Sequence, residues 1–345
     1  MLGLNAFLWR ANGCYHPVVG WWYIPHVKSM IPCGNHPFMV KTNSIGMRSD
    51  RDYPITKPRG RRRLSLLGDS YAMGWGVDNN EAFSELLEAK YPNLDVLNFA
   101  QAGSGVDVQL LIYENIAKPF EVDAYIFAPC TLDITRNILQ FMPSFSKNQI
   151  VYSPRPYFTL NGDNLILHNV PVPKMDTLSE QEAAKRPEAL VDLETSPYTN
   201  RIGMMLPRSI KQSRLYDRIS LALRRPYRGY NSETTEQWRL MRALIKRFVQ
   251  QVEGKFIFLM PLPTYHHLDM NHQVNYLKRF EEFHNPEKNC FVIDVLPYFK
   301  RLPPDERRRC RLENDPLHHY SPMAHQVIAG AVSDSLAQHY PDLIT

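Results

Sequence analysis

The stretch Leu64-Ser65-Leu66-Leu67-Gly68-Asp69-Ser70-Tyr71-Ala72-Met73-Gly74 decides the fold of this 345-residue chain. It is an apolar run that ends abruptly in Gly-Asp-Ser and a glycine-containing turn. A strand buried on both faces reads as such a run, and ligands of open α/β sheets collect just beyond the carboxyl ends of parallel strands. Ser70 therefore stands where chemistry is expected. A serine hydroxyl is a weak nucleophile by itself and needs a neighbouring base, together with donors aimed at the oxyanion that its attack creates. Without them, Gly-Asp-Ser is an ordinary strand-to-helix turn in which Asp69 and Ser70 serve as caps.

Downstream of Ser70 the pattern alternates. Glu81 to Lys90 places Phe83, Leu86 and Leu87 on one side of an amphipathic helix, and Asp95 to Phe99 reads as a second strand. Strand, helix, strand implies a parallel pair. Gln101-Ala102-Gly103-Ser104-Gly105 follows at the second strand's carboxyl end, then a helix from about Val106 to Ala117. Ala124 to Ala128 predicts a third strand, ending in Pro129-Cys130-Thr131-Leu132-Asp133. The rhythm resumes with a helix from about Thr234 to Val252, a strand from Lys255 to Met260, a helix near Asn271 to Phe283 and a strand from Phe291 to Val295. The last helix begins at about Pro322, a favoured first-turn residue. About five parallel strands with helices on both faces make a flavodoxin-like, doubly wound α/β sheet.

Two segments stand outside that rhythm. Residues 1 to 62, rich in Pro, Gly and aromatics, read as an extended lead-in packed on the core, ahead of a domain spanning 63 to 345. Residues 140 to 233 form an insertion after the third strand, read as a lid. Within it, Tyr157 to Leu167 has Asn161-Gly162-Asp163-Asn164 between apolar runs and predicts a hairpin. An acidic stretch, Glu180 to Glu194, follows. A basic one, Arg201 to Arg228, predicts a helix that packs on its own domain or docks on an anionic surface.

Composition excludes several classes. Hydrophobic residues make up 44% of the chain, enough for a full core. The longest apolar stretches, such as Phe256 to Met260, fall far short of the roughly 20 residues needed to cross a bilayer. The start, Met1 to Arg10, lacks a basic region ahead of its apolar residues, so a soluble, cytoplasmic protein is expected. Cys14, Cys33, Cys130, Cys290 and Cys310 are odd in number and widely spaced, which suits a reducing compartment. The net charge of +5 is spread over many segments, with Arg59-Gly60-Arg61-Arg62-Arg63 a solvated approach to the first strand, so nucleic acid is not expected as a partner. His266, His267 and His272 lack a helix-spaced pair with a carboxylate, and neither a metal nor a cofactor is expected.

Just before the last helix comes Glu313-Asn314-Asp315-Pro316-Leu317-His318-His319-Tyr320-Ser321-Pro322-Met323-Ala324-His325. An acid a few residues ahead of a histidine there supplies a base and its orienter. With Leu66 to Ser70, Asn98 to Gly105 followed by Gln109, and His319 to Ala329 in view, the chain resembles the SGNH, or GDSL, hydrolase superfamily. Its members are esterases, lipases, acylhydrolases and carbohydrate-ester deacetylases on a flavodoxin-like fold. The resemblance implies that Ser70 is the nucleophile, its own amide lining the oxyanion hole, and that Gly103 is a second backbone donor. The register of Tyr320-Ser321-Pro322 selects His319 as general base, with His318 the alternative. The family places its acid two or three residues before the histidine, where this chain has Leu317 and Pro316, so Asp315 is the available orienter. A second departure is Cys130-Thr131-Leu132-Asp133, which aligns with the family's Gly-x-Asn-Asp. Leu132 thus replaces an asparagine donor, leaving Asn137 and Gln101 as the side chains to examine, while Asp133 fixes the loop.

Three functions follow from the resemblance. The first is a serine esterase acting through an acyl-enzyme on a small-molecule or glycan ester, preferably an O-acylated carbohydrate, with a lipid ester the other substrate class. The second is an O-acyltransferase using the same Ser/His pair. The third is a catalytically degraded SGNH fold that only binds, motivated by Leu132 and the displaced acid. The oligomeric state stays open.

Overall fold

The computed structural model describes residues 13–33, 37–146, 149–174, 178–179, 182, 227–269, 275–313, 315 and 317–345. Two antiparallel hairpins precede the sheet, β1 (Gly13–His16) with β2 (Gly20–Tyr23) and β3 (Lys28–Ile31) with β4 (Phe38–Lys41). The sheet strands before the insertion are β5 (Arg62–Gly68), β6 (Leu94–Asn98) and β7 (Ala124–Ala128). Those of the insertion are β8 (Phe141–Ser146), β9 (Gln149–Pro154), β10 (Tyr157–Asn161), β11 (Asn164–His168) and β12 (Leu178–Ser179). The sheet resumes with β13 (Phe256–Leu259) and β14 (Cys290–Val292).

The five-stranded sheet runs β14-β13-β7-β5-β6, with every pairing parallel. By position along the chain its strands lie in the order 2-1-3-4-5, the flavodoxin-like order, whose crossovers change direction between the first and third strands. That switch falls between β5 and β7, where Leu64 pairs with Ala124 and Gly68 with Ala128. All five residues of β6 and of β7 are buried, as are Arg63 to Gly68 of β5, because helices cover both faces. Ser70 begins a single helical turn, Ser70–Met73, at the mouth of the switch.

Gly68 is a steric requirement. A Cβ there would lie 2.4 Å from the Ala72 Cβ and 2.6 Å from the Ala128 carbonyl oxygen, so only glycine lets the Ser70 turn sit this close to β7.

The helices match the expectations in kind and differ at their ends. Phe83–Lys90, Glu236–Gln251 and Pro322–His339 are α-helical, and Val106–Ile112 passes into one wide i→i+5 turn, Tyr113–Ala117. Of the helix expected near 271 to 283, positions 271–274 lie outside the described residues, and Tyr276–Phe280 is helical with a 3-10 turn, Glu281–Phe283, after it. The strand expected to reach Val295 ends at Val292, since Asp294 Oδ1 accepts the Leu296 amide at 3.0 Å and starts the helix Leu296–Arg301. No helix among the described residues is long and apolar enough to cross a membrane.

The segment ahead of β5 is more than extended chain. Trp22, Tyr23, Phe38 and Val40 join the core, and the Arg48 guanidinium is buried behind the Ser70 turn. Its Nη1 donates to the carbonyls of Met73, at 3.0 Å, and of Gly74, its Nη2 to that of Val77, and its Nε to Asn79 Oδ1 at 2.9 Å. In the insertion, β10 and β11 form the expected hairpin, with Asn161 opposite Asn164 and Gly162 at φ +61° in the two-residue loop. β8, β9 and β12 make a separate antiparallel sheet. The acidic stretch and the basic segment lie outside the described residues, apart from positions 182, 227 and 228.

Candidate active site

The Ser70 turn is held at both ends. Asp69 caps it, its Oδ1 accepting the Tyr71 amide at 2.9 Å, and Gly74 ends it in the left-handed conformation at φ +88°. The Ser70 amide, in the first turn, has no intrahelical partner by construction. The opposite wall comes from the loop ahead of Pro322–His339. There the Leu312 amide donates to the His319 carbonyl at 2.8 Å and Ser321 N to the Cys310 carbonyl at 3.0 Å, which ties the loop to the end of helix Pro304–Arg309.

These two walls bring three side chains into line. His319 Nε2 lies 2.8 Å from Ser70 Oγ and His319 Nδ1 lies 2.7 Å from Asp315 Oδ2. Serine, histidine and aspartate are all at most 5% exposed. Asp315 Oδ2 also accepts the amides of Leu317, at 3.1 Å, and His319, at 3.0 Å, while the Cys33 thiol donates to Oδ1 at 3.6 Å. Burial would raise the Asp315 carboxyl, but the His319 ring and the N–H donors outweigh it and hold it at about 2. Asp315 is therefore charged at neutral pH and accepts the Nδ1 hydrogen bond, which leaves the Nε2 lone pair facing the Ser70 hydroxyl.

The spacing of four residues is absorbed by His318, which sits in the left-handed region at φ +52°. Its Nδ1 lies 3.2 Å from the Leu312 carbonyl and its ring packs edge-on against Tyr265, so it engages neither Ser70 nor Asp315 through its ring. Burial, with Arg311 nearby, pushes its basicity down.

Gly103 sits at φ +78° in the loop after β6. That loop is pinned to the carbonyl of Gly68, which accepts Gln101 N at 3.0 Å and Ser104 Oγ at 3.2 Å. Leu132 is half-buried against the core at the head of helix Asp133–Arg136. Of the side chains considered as its substitute, Gln101 is engaged, its Nε2 donating to the Trp21 carbonyl at 2.5 Å, whereas the fully buried Asn137 turns its Oδ1 to the Asp107 amide at 3.4 Å and its Nδ2 donor is unpartnered. His266 and His267 engage Tyr227 and Thr264, and His272 lies outside the described residues.

Sequence reasoning missed a buried ionic network beneath the site. Arg136 Nη1 bonds Asp69 Oδ2 at 2.5 Å, Asp133 Oδ1 at 2.7 Å and the Ser104 carbonyl at 3.4 Å, so the residues beside Ser70 and Gly103 share one cation. Arg155, at the start of the insertion hairpin, chelates Asp107 at 2.6 and 2.7 Å and donates to the Arg136 carbonyl. Burial, then Asp69, pushes the Asp133 carboxyl well up, with Arg136 opposing. The i,i+3 pair Asp133 and Arg136 was the available signal.

No family model and no curated protein matches the chain. Among solved structures it is similar to a member of the lipolytic protein G-D-S-L family from Veillonella parvula, at 12% identity over 80% of this chain and 99% of that one, with a TM-score of 0.39. A lipase/acylhydrolase from Enterococcus faecalis is 9% identical over 80% and 96% of the two chains, with a TM-score of 0.40. A two-domain esterase active on acetylated mannans is 10% identical over 81% and 49%, with a TM-score of 0.34. The arrangement of Ser70, His319 and Asp315 stands on the chain's own geometry.

The depressed Asp315 carboxyl makes a stability prediction. Its unfolded value is the ordinary 3.8 and its folded value about 2, so its stabilisation is complete above about pH 4 and is lost as pH falls through about 2. The gap in thermal midpoint between wild type and Asp315→Asn is expected to be constant above that window and to shrink within it. A gap independent of pH there would contradict the charge assignment.

Proposed function

We propose that the chain is a serine ester hydrolase of the SGNH type that works through an acyl-enzyme on Ser70. The observation that carries this is the unbroken line Asp315, His319, Ser70, with both hydrogen bonds at 2.7 to 2.8 Å. Ser70 Oγ attacks the ester carbonyl carbon as its proton passes to His319 Nε2, and Asp315 stays charged to hold the imidazolium. The oxyanion is received by the amides of Ser70 and Gly103. Collapse of the tetrahedral intermediate expels the alkoxide, which takes the proton from Nε2. Water then gives a proton to Nε2, attacks the acyl carbon and releases the carboxylic acid, and Ser70 recovers its proton.

The preferred substrate is an O-acylated carbohydrate. Half-buried aromatic surface beside His319 and its neighbour His318 supports this: the Trp75 ring centroid is 6.0 Å from that of His319, and the Tyr265 centroid 4.5 Å from that of His318. Such rings offer an apolar face with a polar edge, as a sugar ring requires. Leu132 favours a second assignment, a fold that binds an ester or glycan without turning it over, because loss of one oxyanion donor costs about two to three orders of magnitude in rate.

Ser70→Ala is expected to abolish turnover of p-nitrophenyl acetate and labelling by a fluorophosphonate, with the thermal midpoint little changed. Wild-type protein that does neither would establish the binding assignment instead. Leu132→Asn is expected to raise kcat/KM on the same ester, by at most the roughly 10²- to 10³-fold that one donor supplies. A slower mutant of an already fast wild type would mean that another group completes the hole.

A further inference from the structure

The two amides of the oxyanion hole come from different strands, Ser70 from the turn after β5 and Gly103 from the loop after β6. To stabilise one developing charge, both must stand about 2.7–3.1 Å from a single oxygen. Their separation is therefore a structural quantity that something must set, and Leu132 leaves no side-chain donor at the aligned position to compensate for an error.

One atom bonds both loops. Tyr23, the last residue of β2 and 4% exposed, donates from Oη to Met73 Sδ at 2.8 Å and accepts the Ala102 amide at 3.0 Å. Met73 closes the turn that Ser70 opens, and Ala102 directly precedes Gly103. The same strand pins the same loop a second time through the Trp21 carbonyl and Gln101 Nε2. The tyrosine itself is rigidly seated. Its ring packs edge-on against Trp21, with centroids 4.9 Å apart, and Gly46, at φ +80°, approaches so closely that a Cβ would lie 2.1 Å from the Tyr23 carbonyl oxygen. Burial raises the phenol's ionisation far beyond its ordinary value, so the hydroxyl keeps the proton it donates.

We propose that Tyr23 is a positioning residue for the reaction, its hydroxyl setting the spacing of the Ser70 and Gly103 amides, so that the segment ahead of the sheet completes the oxyanion hole. This rests on the hydrolase assignment above. The role is distinct from simple stabilisation because it acts on the tetrahedral state more than on bound ester.

The test is Tyr23→Phe, assayed with p-nitrophenyl acetate and with phenylboronic acid, whose tetrahedral adduct on Ser70 places an oxygen where the oxyanion stands. A small misplacement of donors is expected to lower kcat and raise the boronate inhibition constant by about tenfold each, with KM within about twofold of wild type. A folded mutant with wild-type kcat and boronate affinity overturns the proposal, and so does one whose KM rises as much as its inhibition constant. If Tyr23→Phe does not fold, Met73→Leu decides, since it keeps the phenol and its Ala102 bond and removes one anchor at nearly constant volume. A raised inhibition constant at unchanged KM supports the bridge, and wild-type values overturn it. Wild-type protein that neither turns over ester nor reacts with a fluorophosphonate overturns the hydrolase assignment and this inference with it. Labelled wild type beside an indifferent mutant overturns the inference alone.

Discussion

Gly68 has no room for a side chain, and the site depends on that fact. Because β5 can run against β7 with 2.6 Å between the Ala128 oxygen and the place where a Cβ would be, the following turn lifts Ser70 out at the sheet's switch point. The carbonyl of the same residue receives Gln101 N and Ser104 Oγ, so the loop carrying Gly103 is hung from the residue that releases the Ser70 turn. One backbone position thus fixes both proposed halves of the oxyanion hole. Tyr23 and Arg48 secure the arrangement from the other side, Tyr23 between the two loops and Arg48 on three carbonyls behind the turn.

Electrostatics sets the rest. Three buried aspartates, Asp69, Asp107 and Asp133, are held by two arginines, Arg136 and Arg155, and removing one partner of such a pair leaves an uncompensated buried charge. Arg155 belongs to the insertion, so the start of the β10–β11 hairpin is tied by charge to the helix that follows the Gly103 loop. Asp315 is separate from this network. It is charged because it accepts two backbone amides as well as the imidazole, so its role toward His319 does not depend on Arg136.

The parallel core was legible because both-face burial writes itself as apolar runs, and Ala124 to Ala128 needed no adjustment. The strand at 290 ends early where the Asp294 side chain takes the Leu296 amide ahead of the next helix, a side-chain effect that an apolar count cannot register. The lead-in was legible only as loop: Lys28–Ile31 and Phe38–Lys41 mix charged and apolar residues in four-residue strands, and Arg48, which sequence logic sends to the surface, is buried by carbonyls that converge from the Ser70 turn. His319 was separable from His318 through the Tyr-Ser-Pro register. That Asp315 reaches it from four residues away requires a left-handed histidine, which nothing in the sequence announces.

The central claim is that Ser70 carries the acyl group. Rapid mixing of wild-type protein with p-nitrophenyl acetate, quenched in acid before deacylation and followed by peptide mapping, tests it most directly. The expected result is a burst of p-nitrophenol stoichiometric with enzyme and an acetyl group on the peptide containing Ser70. Steady release of p-nitrophenol without a burst, or acetyl on another residue in place of Ser70, would contradict it.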